Sequence, residues 1–157
     1  MRHILKLHRS LTQEIPNPSH NFEITTFNPK FHKEEWLALN NKIFANHPDQ
    51  GNWAMADLEN RIAKPWFDPE GFFIAIENKK IIGFCWTKIH RNPVEGVPIG
   101  ELYVLGVDSD HEARGLGKAL SAFALNYFQK KGIKQSILYV DSRQQRAYKI
   151  YRHLGFK

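Results

Sequence analysis

The junction between an apolar stretch at residues 99–107 and a glycine-containing helix constrains the fold more than any other part of this sequence. The stretch is apolar on both faces, which is typical of a central strand. The helix after it carries apolar residues at helical spacing on one stripe: Leu116, Leu120, Phe123, Ala124, Tyr127 and Phe128. A further strand at residues 136–140 follows. Strand, helix and strand in this order predict two parallel strands joined by a crossover helix.

The rest of the chain predicts antiparallel strands and three more helices. Residues 22–27 are rich in β-branched side chains and predict a strand. Helices are expected after Pro29, with Trp36 and Leu39 at helical spacing, at residues 54–63 and at residues 144–154. Segments 71–76 and 81–88 flank a polar turn and predict a hairpin. The fold class is therefore α/β, with a mixed α+β sheet covered by helices.

The domain organisation is predicted from length and from chain breakers. A chain of 157 residues suits one domain. Residues 1–20 alternate weakly and are then broken by Pro16 and Pro18, so they are assigned to a leader or to the remnant of a preceding domain. Residues 21–157 form the predicted domain. Because a closing strand is expected after the last helix, the fold is predicted to lack its final strands.

Composition narrows the classes of partner. The formal charge of +6 arises from scattered lysines and arginines, without a nucleic-acid-binding motif, so an anionic cofactor is a sufficient explanation and no nucleic-acid partner is expected. No apolar run reaches the length of a membrane span, so no membrane partner is expected. Cys85 is the single cysteine, which fits a reducing, cytoplasmic location. The eight histidines show no metal-ligand spacing, so no metal is expected.

The loop at residues 107–118 is predicted to bind phosphate. The first backbone N–H groups of a helix have no partner inside the helix and carry the positive end of its dipole. Gly115 and Gly117 allow a diphosphate to approach these groups, and Arg114 and Lys118 add positive charge. The alternative is that the glycines only permit close packing of helix on sheet. The spacing differs from the dinucleotide-binding and P-loop fingerprints, which argues against hydride transfer and nucleotide hydrolysis.

The sequence EARGLG at residues 112–117 resembles the pyrophosphate loop of GNAT acetyltransferases, whose pattern is Gln/Arg-x-x-Gly-x-Gly/Ala. Glu112 departs from that pattern, and a carboxylate beside a diphosphate would weaken binding. Further segments resemble the C-terminal catalytic domains of the mycothiol synthase family: NHPDQG at 46–51, PWFDPEGFF at 65–73, WTK at 86–88, GELYVLGV at 100–107 and LYV at 138–140. The resemblance implies a GNAT-type acyl-CoA N-acyltransferase fold and a possible companion GNAT domain.

This resemblance implies transfer of acetyl from acetyl-CoA to a small-molecule amine, the cysteinyl amine of cysteinyl-glucosaminyl-inositol. Glu101 is then the catalytic base and Tyr151 the general acid, with Tyr148 as the alternative acid. The implied acceptor-binding residues are Asp49, Lys88, Glu101 and Tyr139. The implied cofactor-binding residues are Leu105, Gly106, Val107, Glu112, Ala113, Arg114, Gly115, Leu116, Gly117, Lys118, Gln144 and Lys149.

Two structural expectations accompany these roles. Strand alternation places Glu101 on the same face as Tyr103 and Leu105. Gly106 suits a β-bulge that frees an N–H for the thioester carbonyl. Ordinary roles remain open for both catalytic candidates, because Glu101 could pair with a surface lysine and Tyr151 also lies on the apolar stripe of its helix.

Three other functions remain open at this point. The first is a GNAT enzyme for another amine, such as a protein N-terminus or a small metabolite. The second is a non-catalytic acyl-CoA-binding fragment. The third is nucleic-acid binding through the positive charge.

Overall fold

A computed structural model describes residues 3–18, 20–91, 96–112 and 114–157, which form one mixed sheet with helices on both faces. The strands are β1 (Ile4–Ser10), β2 (Glu23–Thr26), β3 (Phe72–Glu77), β4 (Lys80–Arg91), β5 (Pro98–Val107) and β6 (Gln135–Asp141). The helices are α1 (Lys33–Ile43), α2 (Met55–Ile62), α3 (Leu116–Lys130) and α4 (Gln145–His153), with short 3-10 turns at Pro69–Gly71 and Ser109–His111. The predicted fold class is confirmed.

The sheet has six strands in the order β1-β6-β5-β4-β3-β2. β5 and β6 run parallel, with α3 as their crossover helix, and the other neighbours are antiparallel. The predicted hairpin is the β3–β4 pair, in which Glu77 lies opposite Lys80. Asn78 and Lys79 between them have φ values of 51° and 64°, as the tight turn favoured by twisted hairpins requires.

Strand β1 comes from the segment predicted as a leader or remnant, and it lies in the same sheet. It pairs with β6 from Ile4 opposite Asp141 to Ser10 opposite Gln135. Its other edge contacts the end of the chain, where the backbones of His8 and Lys157 exchange two hydrogen bonds of 2.9 Å. Residues 4–10 therefore cover the edge of β6.

Two apolar cores lie on opposite faces of the sheet, each between the sheet and a pair of helices. On one face, α3 and α4 pack on the sheet through residues such as Leu120, Leu125 and Tyr151. On the other face, α1 and α2 cover an aromatic core around Trp36 and Trp86, whose ring centroids lie 5.5 Å apart. Among the described residues, no helix is long and apolar enough to cross a membrane.

One irregularity of β5, a β-bulge, shapes the centre of the sheet. Trp86 pairs with Val104 and Thr87 with Leu102, so the extra residue at the bulge is Tyr103. The bulge predicted at Gly106 is wrong, because Gly106 pairs in regular register with Phe84. The extra residue also resets the side-chain alternation.

As a result, Tyr103 belongs to the core under α1 and α2, whereas Leu105 belongs to the core under α3 and α4. Leu105 therefore does not share the face of Glu101 and Tyr103, as strict alternation had predicted. Beyond the bulge, β5 and β6 separate. Their ladder covers the pairs from Gly100 with Ser136 to Leu102 with Leu138. A gap lies between the two strands there, and residues 102–105 of β5 and residues 139–140 of β6 line it.

Candidate active site

The N-terminus of α3 has the geometry that the loop sequence predicts. Gly115 is the N-cap residue with φ +79°, in the left-handed region that glycine tolerates at low cost. No described side chain caps this helix end. The helix of 15 residues therefore presents unpaired N–H groups and the positive end of its dipole.

These groups open onto a cleft of about 440 Å³ between the loop and α4. Three cations contribute to its walls: Lys118, Arg146 and Lys149. The cleft is lined by Val107, His111, Glu112, Gly115, Leu116, Gly117, Lys118, Arg146, Lys149, Ile150 and His153. A concave site with backbone donors and three cations has the chemistry to bind a diphosphate with an adjoining organic group.

Close packing at Gly117 keeps α3 near α4. A Cβ atom at this position would lie 3.3 Å from Cδ1 of Ile150, so a larger side chain would enter the narrow part of the cleft. The residue is buried at the helix start. Gly117 therefore supports both alternatives raised by the sequence, since it permits helix packing and access of a ligand to the backbone.

The loop residues before α3 have distinct environments. Arg114 donates to both carboxylate oxygens of Glu77, at 3.1 and 2.8 Å, and its guanidinium lies 4.7 Å from the ring centroid of Phe22. The Arg114 hydrogen bonds hold the pKa of Glu77 below its usual value. The side chain of Arg114 is therefore engaged outside the cleft, and its predicted contact with the cofactor stays a prediction. Ala113 lies outside the described residues.

Helix α1 anchors the loop to the opposite face of the sheet. Nζ of Lys42 donates to Asp108 at 2.9 Å, and this bond holds the pKa of Asp108 below its usual value. The Asp108 side chain also accepts from the backbone of Asp110, and its own N–H donates to the carbonyl of Ile82 at 2.8 Å. These contacts fix the path of the chain from β5 to α3.

The gap between β5 and β6 holds the predicted general acid. Tyr151 is 7% exposed, and burial raises the pKa of its phenol above the ordinary value, with a further contribution from Cys85. The phenol therefore stays protonated around neutral pH. A cavity of about 170 Å³ joins Tyr151 to both strands, and its lining includes Gln50, Leu102, Tyr103, Val104, Leu105, Tyr139, Val140 and Gln144.

The predicted acceptor residues lie on the face of the sheet under α1 and α2. Glu101 and Lys88 are Cα partners across β5 and β4. Nζ of Lys88 lies 4.8 Å from the ring centroid of Trp66 and 5.7 Å from that of Tyr103. Arg61 of α2 donates to the Tyr103 hydroxyl at 3.1 Å. These contacts build a surface with aromatic rings, cations and one carboxylate beside the gap.

Tyr139 and Asp49 border the same region from other elements. Tyr139 of β6 is 51% exposed and lines the cavity that contains Tyr151. The backbone carbonyl of Asp49 accepts from the Trp53 indole at 3.2 Å, in the loop between α1 and α2. Gln50, the next residue, lines the cavity. Each of these predicted acceptor contacts stays a prediction.

Two sets of residues in this region were not among the predicted site residues. Arg146, Ile150 and His153 line the cleft at the N-terminus of α3 together with the predicted Lys149. They recur at the spacing of one helix face, a signal present in the sequence. His90 was also missed, although its Nε2 lies 2.6 Å from Oε1 of Glu101. Among the described residues, no group of three or more potential ligands forms a metal site.

Comparison with known proteins agrees with this geometry. The model of the acetyltransferase (GNAT) family matches residues 23–156, so the chain belongs to this family of acetyl-CoA-dependent N-acetyltransferases. A GCN5-related N-acetyltransferase structure from Sphaerobacter thermophilus has a TM-score of 0.77 at 23% identity, covering 99% of this chain and 48% of that one. An aminoglycoside N-acetyltransferase structure in complex with CoA has a TM-score of 0.69 at 26% identity, covering 92% of each chain.

The curated relatives carry a more specific name than the family does. The chain is 43% identical to a mycothiol acetyltransferase of Thermobispora bispora, over 99% of this chain and 54% of the relative. It is 44% identical to a mycothiol acetyltransferase of Salinispora tropica, over 99% of this chain and 52% of the relative. The predicted resemblance is confirmed. The chain spans about half the length of these relatives.

Proposed function

We propose that this chain transfers acetyl from acetyl-CoA to a primary amine, and that the acceptor is the cysteinyl amine of cysteinyl-glucosaminyl-inositol. The observation that carries the reaction class is the uncapped N-terminus of α3 opening onto a cationic cleft in a GNAT fold. The choice of acceptor rests on similarity to mycothiol acetyltransferases over nearly the whole chain.

Acetyl-CoA fits the residues along the cleft. The diphosphate is bound by the backbone N–H groups at Gly115–Gly117, and Lys118 and Lys149 supply positive charge. The pantetheine arm continues into the gap between β5 and β6, where the backbone of β5 beyond Leu102 is released from its ladder with β6. Backbone groups of Leu105, Gly106 and Val107 are then available to hold the arm and the thioester carbonyl.

The chemistry begins with the acceptor amine. A free α-amine has a pKa of about 7.7–8.0, so a carboxylate close by can remove its proton near neutral pH. Glu101 takes that proton. The amine attacks the thioester carbon, the tetrahedral intermediate forms, and the carbon–sulfur bond then breaks. Tyr151, which burial keeps protonated, donates its proton to the departing sulfur. It regains a proton from the amide nitrogen, which loses its second proton as the intermediate collapses.

The surface beside Glu101 suits a polar sugar-containing acceptor. The rings of Trp66 and Tyr103 offer flat faces, and Lys88 offers a donor for hydroxyl groups. Asp49, in the loop between α1 and α2, is the proposed acceptor for a further hydroxyl group. Tyr139 lies on the other strand of the gap with its ring half exposed. Together these groups support binding of a small hydrophilic amine rather than an apolar one.

Calorimetry tests the cofactor site. Wild type is expected to bind acetyl-CoA, whereas Gly117→Glu is expected not to bind, because a carboxylate would occupy the path of the diphosphate. Gly117→Gln is the matched control for size and should retain part of the affinity. Equal binding by wild type and Gly117→Glu, with both proteins folded, would exclude this site for the diphosphate.

Mass spectrometry of products tests the acceptor. Candidate amines are the cysteinyl pseudo-disaccharide, an aminoglycoside and a peptide with a free N-terminus. The aminoglycoside is included because the CoA-bound structural relative is an aminoglycoside N-acetyltransferase. Absence of acetylated pseudo-disaccharide, beside turnover of another amine, would refute the proposed acceptor and keep the reaction class.

We also propose that a companion GNAT domain works with this one, since the relatives named mycothiol acetyltransferases are about twice as long as the matched region. Fusion of this chain to the unmatched half of the Thermobispora bispora relative tests the proposal. An increase in turnover or acceptor affinity supports it. Identical kinetics with and without the second half would refute it.

A further inference from the structure

We propose that His90 carries the proton released in each turnover from Glu101 to solvent. This inference rests on the proposed role of Glu101 as base. Nε2 of His90 lies 2.6 Å from Oε1 of Glu101, which is within hydrogen-bond distance. The two residues lie on neighbouring strands, β4 and β5, on the face that carries the acceptor surface.

The exposure of the two side chains differs in the way that a relay needs. The Glu101 side chain is 10% exposed, whereas the His90 side chain is 42% exposed. A carboxylate that is nearly enclosed exchanges protons slowly with water once an acceptor covers it. The imidazole has one nitrogen on the carboxylate and a second nitrogen that can reach solvent. His90 therefore connects the base to bulk water.

The stoichiometry of the reaction requires a path by which one proton leaves the site in each turnover. An ammonium ion and acetyl-CoA give an amide, a free thiol and one proton. The acceptor loses two protons in forming the amide: one remains on the CoA thiol, delivered through Tyr151, and the other leaves the site. Glu101 receives the proton that leaves and must lose it before the next turnover. Nε2 of the Nδ1–H tautomer of His90 accepts this proton while Nδ1–H releases one to water, which returns Glu101 to its carboxylate form. Exchange of the remaining N–H with water then restores the Nδ1–H tautomer before the next turnover.

The other charged groups around Glu101 are poorly suited to this transfer. Lys88 lies opposite Glu101 on β4, and Arg61 contacts the neighbouring Tyr103 hydroxyl. On β1, Lys6 lies opposite Tyr139, and His8 is separated from Glu101 by Ile137 of β6. Lysine and arginine are already protonated near neutral pH, and tyrosine hydroxyls are weak proton acceptors. His90 combines a direct contact with Glu101 and two ring nitrogens, one of which can accept a proton while the other donates one.

Steady-state kinetics with two substitutions test the inference. His90→Ala removes the ring, and His90→Gln keeps an N–H donor that can hold Glu101 but cannot relay a proton. Both variants are expected to lower kcat about tenfold, the lower part of the range for losing a proton-transfer group, with KM for the amine unchanged. Added imidazole is expected to restore His90→Ala in proportion to its concentration. His8→Ala is the matched control, because His8 is an exposed histidine on the same face of the sheet.

The alternatives give different results. Full activity in His90→Gln would overturn the relay and leave His90 only a positioning role. Unchanged kcat in His90→Ala, or a loss that imidazole does not restore while calorimetry shows normal acetyl-CoA binding, would also overturn it. The assays use the primary amine that wild type acetylates fastest. An error in the proposed acceptor is thereby distinguished from an error in the role of His90.

Discussion

Arg146 of α4 donates from Nη1 to Oε2 of Glu112 in the loop before α3, at 2.5 Å, so an ion pair bridges the two walls of the proposed cofactor cleft. Glu112 is the residue that departs from the pyrophosphate-loop pattern. Its carboxylate had been expected to weaken diphosphate binding. The structure supplies a cation that neutralises this charge, and the two side chains are 56% and 43% exposed, so each can reorient in solvent.

Replacement of Arg146 by alanine is therefore expected to weaken acetyl-CoA binding about tenfold, because Glu112 would face the diphosphate without its partner. Protein stability should change by less than about 1 kcal/mol, as is usual for an exposed pair. Calorimetry at low and high salt measures the effect, which should shrink as salt screens the charges.

The double variant Glu112→Gln/Arg146→Ala is the control for that prediction. Removal of the carboxylate should recover part of the affinity lost in Arg146→Ala. Additive losses in the double variant would mean that the two side chains act on the cofactor independently, and that the ion pair has no part in binding.

Replacement of Tyr151 by phenylalanine is expected to reduce kcat about a hundredfold while the KM for acetyl-CoA changes little. The ring would still pack in the core under α3 and α4, where Tyr151 is 7% exposed, and only the proton donor would be lost. Tyr148→Phe provides the comparison, because Tyr148 was the alternative acid in the sequence. A larger loss of kcat in Tyr148→Phe would reverse the assignment.

The thiol of Cys85 is expected to be unreactive in the folded protein. Burial raises the pKa of Cys85 from an ordinary value of 9.0 to about 12. Thiolate is the reactive form, so a disulfide reagent should modify Cys85 only when the protein unfolds. Rapid labelling under native conditions at neutral pH would contradict the buried environment.

The raised pKa of Cys85 also makes the free energy of unfolding fall as the pH rises. Below pH 9.0 the thiol is protonated in both the folded and the unfolded chain, and its contribution to the free energy of unfolding is fully present. As the pH rises towards about 12, the unfolded chain loses this proton first, so the folded state is destabilised. The difference in unfolding free energy between wild type and Cys85→Ala should therefore decrease over this window. Denaturant unfolding at several pH values measures it.

Arg9 is expected to be important for stability, because its guanidinium is buried and donates to three backbone carbonyls. The acceptors are Leu154 at 2.6 Å, Ser10 at 2.7 Å and Glu14 at 3.1 Å. A lysine cannot reproduce this planar fork, so Arg9→Lys should lower the unfolding free energy by about 3 kcal/mol. Arg143→Lys is the control, since the Arg143 side chain is 62% exposed, although that of its partner Asp141 is only 7% exposed.

Chemical denaturation of both variants gives the comparison. The Arg143→Lys variant should lose less than about 1 kcal/mol. Equal losses in the two variants would mean that the Arg9 contacts stabilise the fold no more than the contacts of the exposed Arg143 side chain. Leu154 directly follows α4, the helix that carries Tyr151. If folded Arg9→Lys keeps the wild-type kcat, the hydrogen bonds of Arg9 do not set the position of Tyr151.

Local sequence was sufficient for most of the architecture. Apolar spacing predicted α3, the β3–β4 hairpin and the parallel β5–α3–β6 unit, and the glycines predicted the open start of α3. These features depend on residues close in the chain, where periodicity and backbone preferences act directly. The family was also recognisable from motifs in the sequence, and the comparisons confirm it.

The sequence by itself determined most of the elements from residue 21 onward, and it predicted a phosphate-binding site at the N-terminus of α3. The tertiary structure alone decided that β1 covers the edge of β6, that the bulge falls at Tyr103, and that Glu112 meets Arg146 and Glu101 meets His90. Each of these depends on strand register or on packing between segments distant in the chain. Such contacts are selected by the free energy of the whole fold, and they leave little trace in local periodicity.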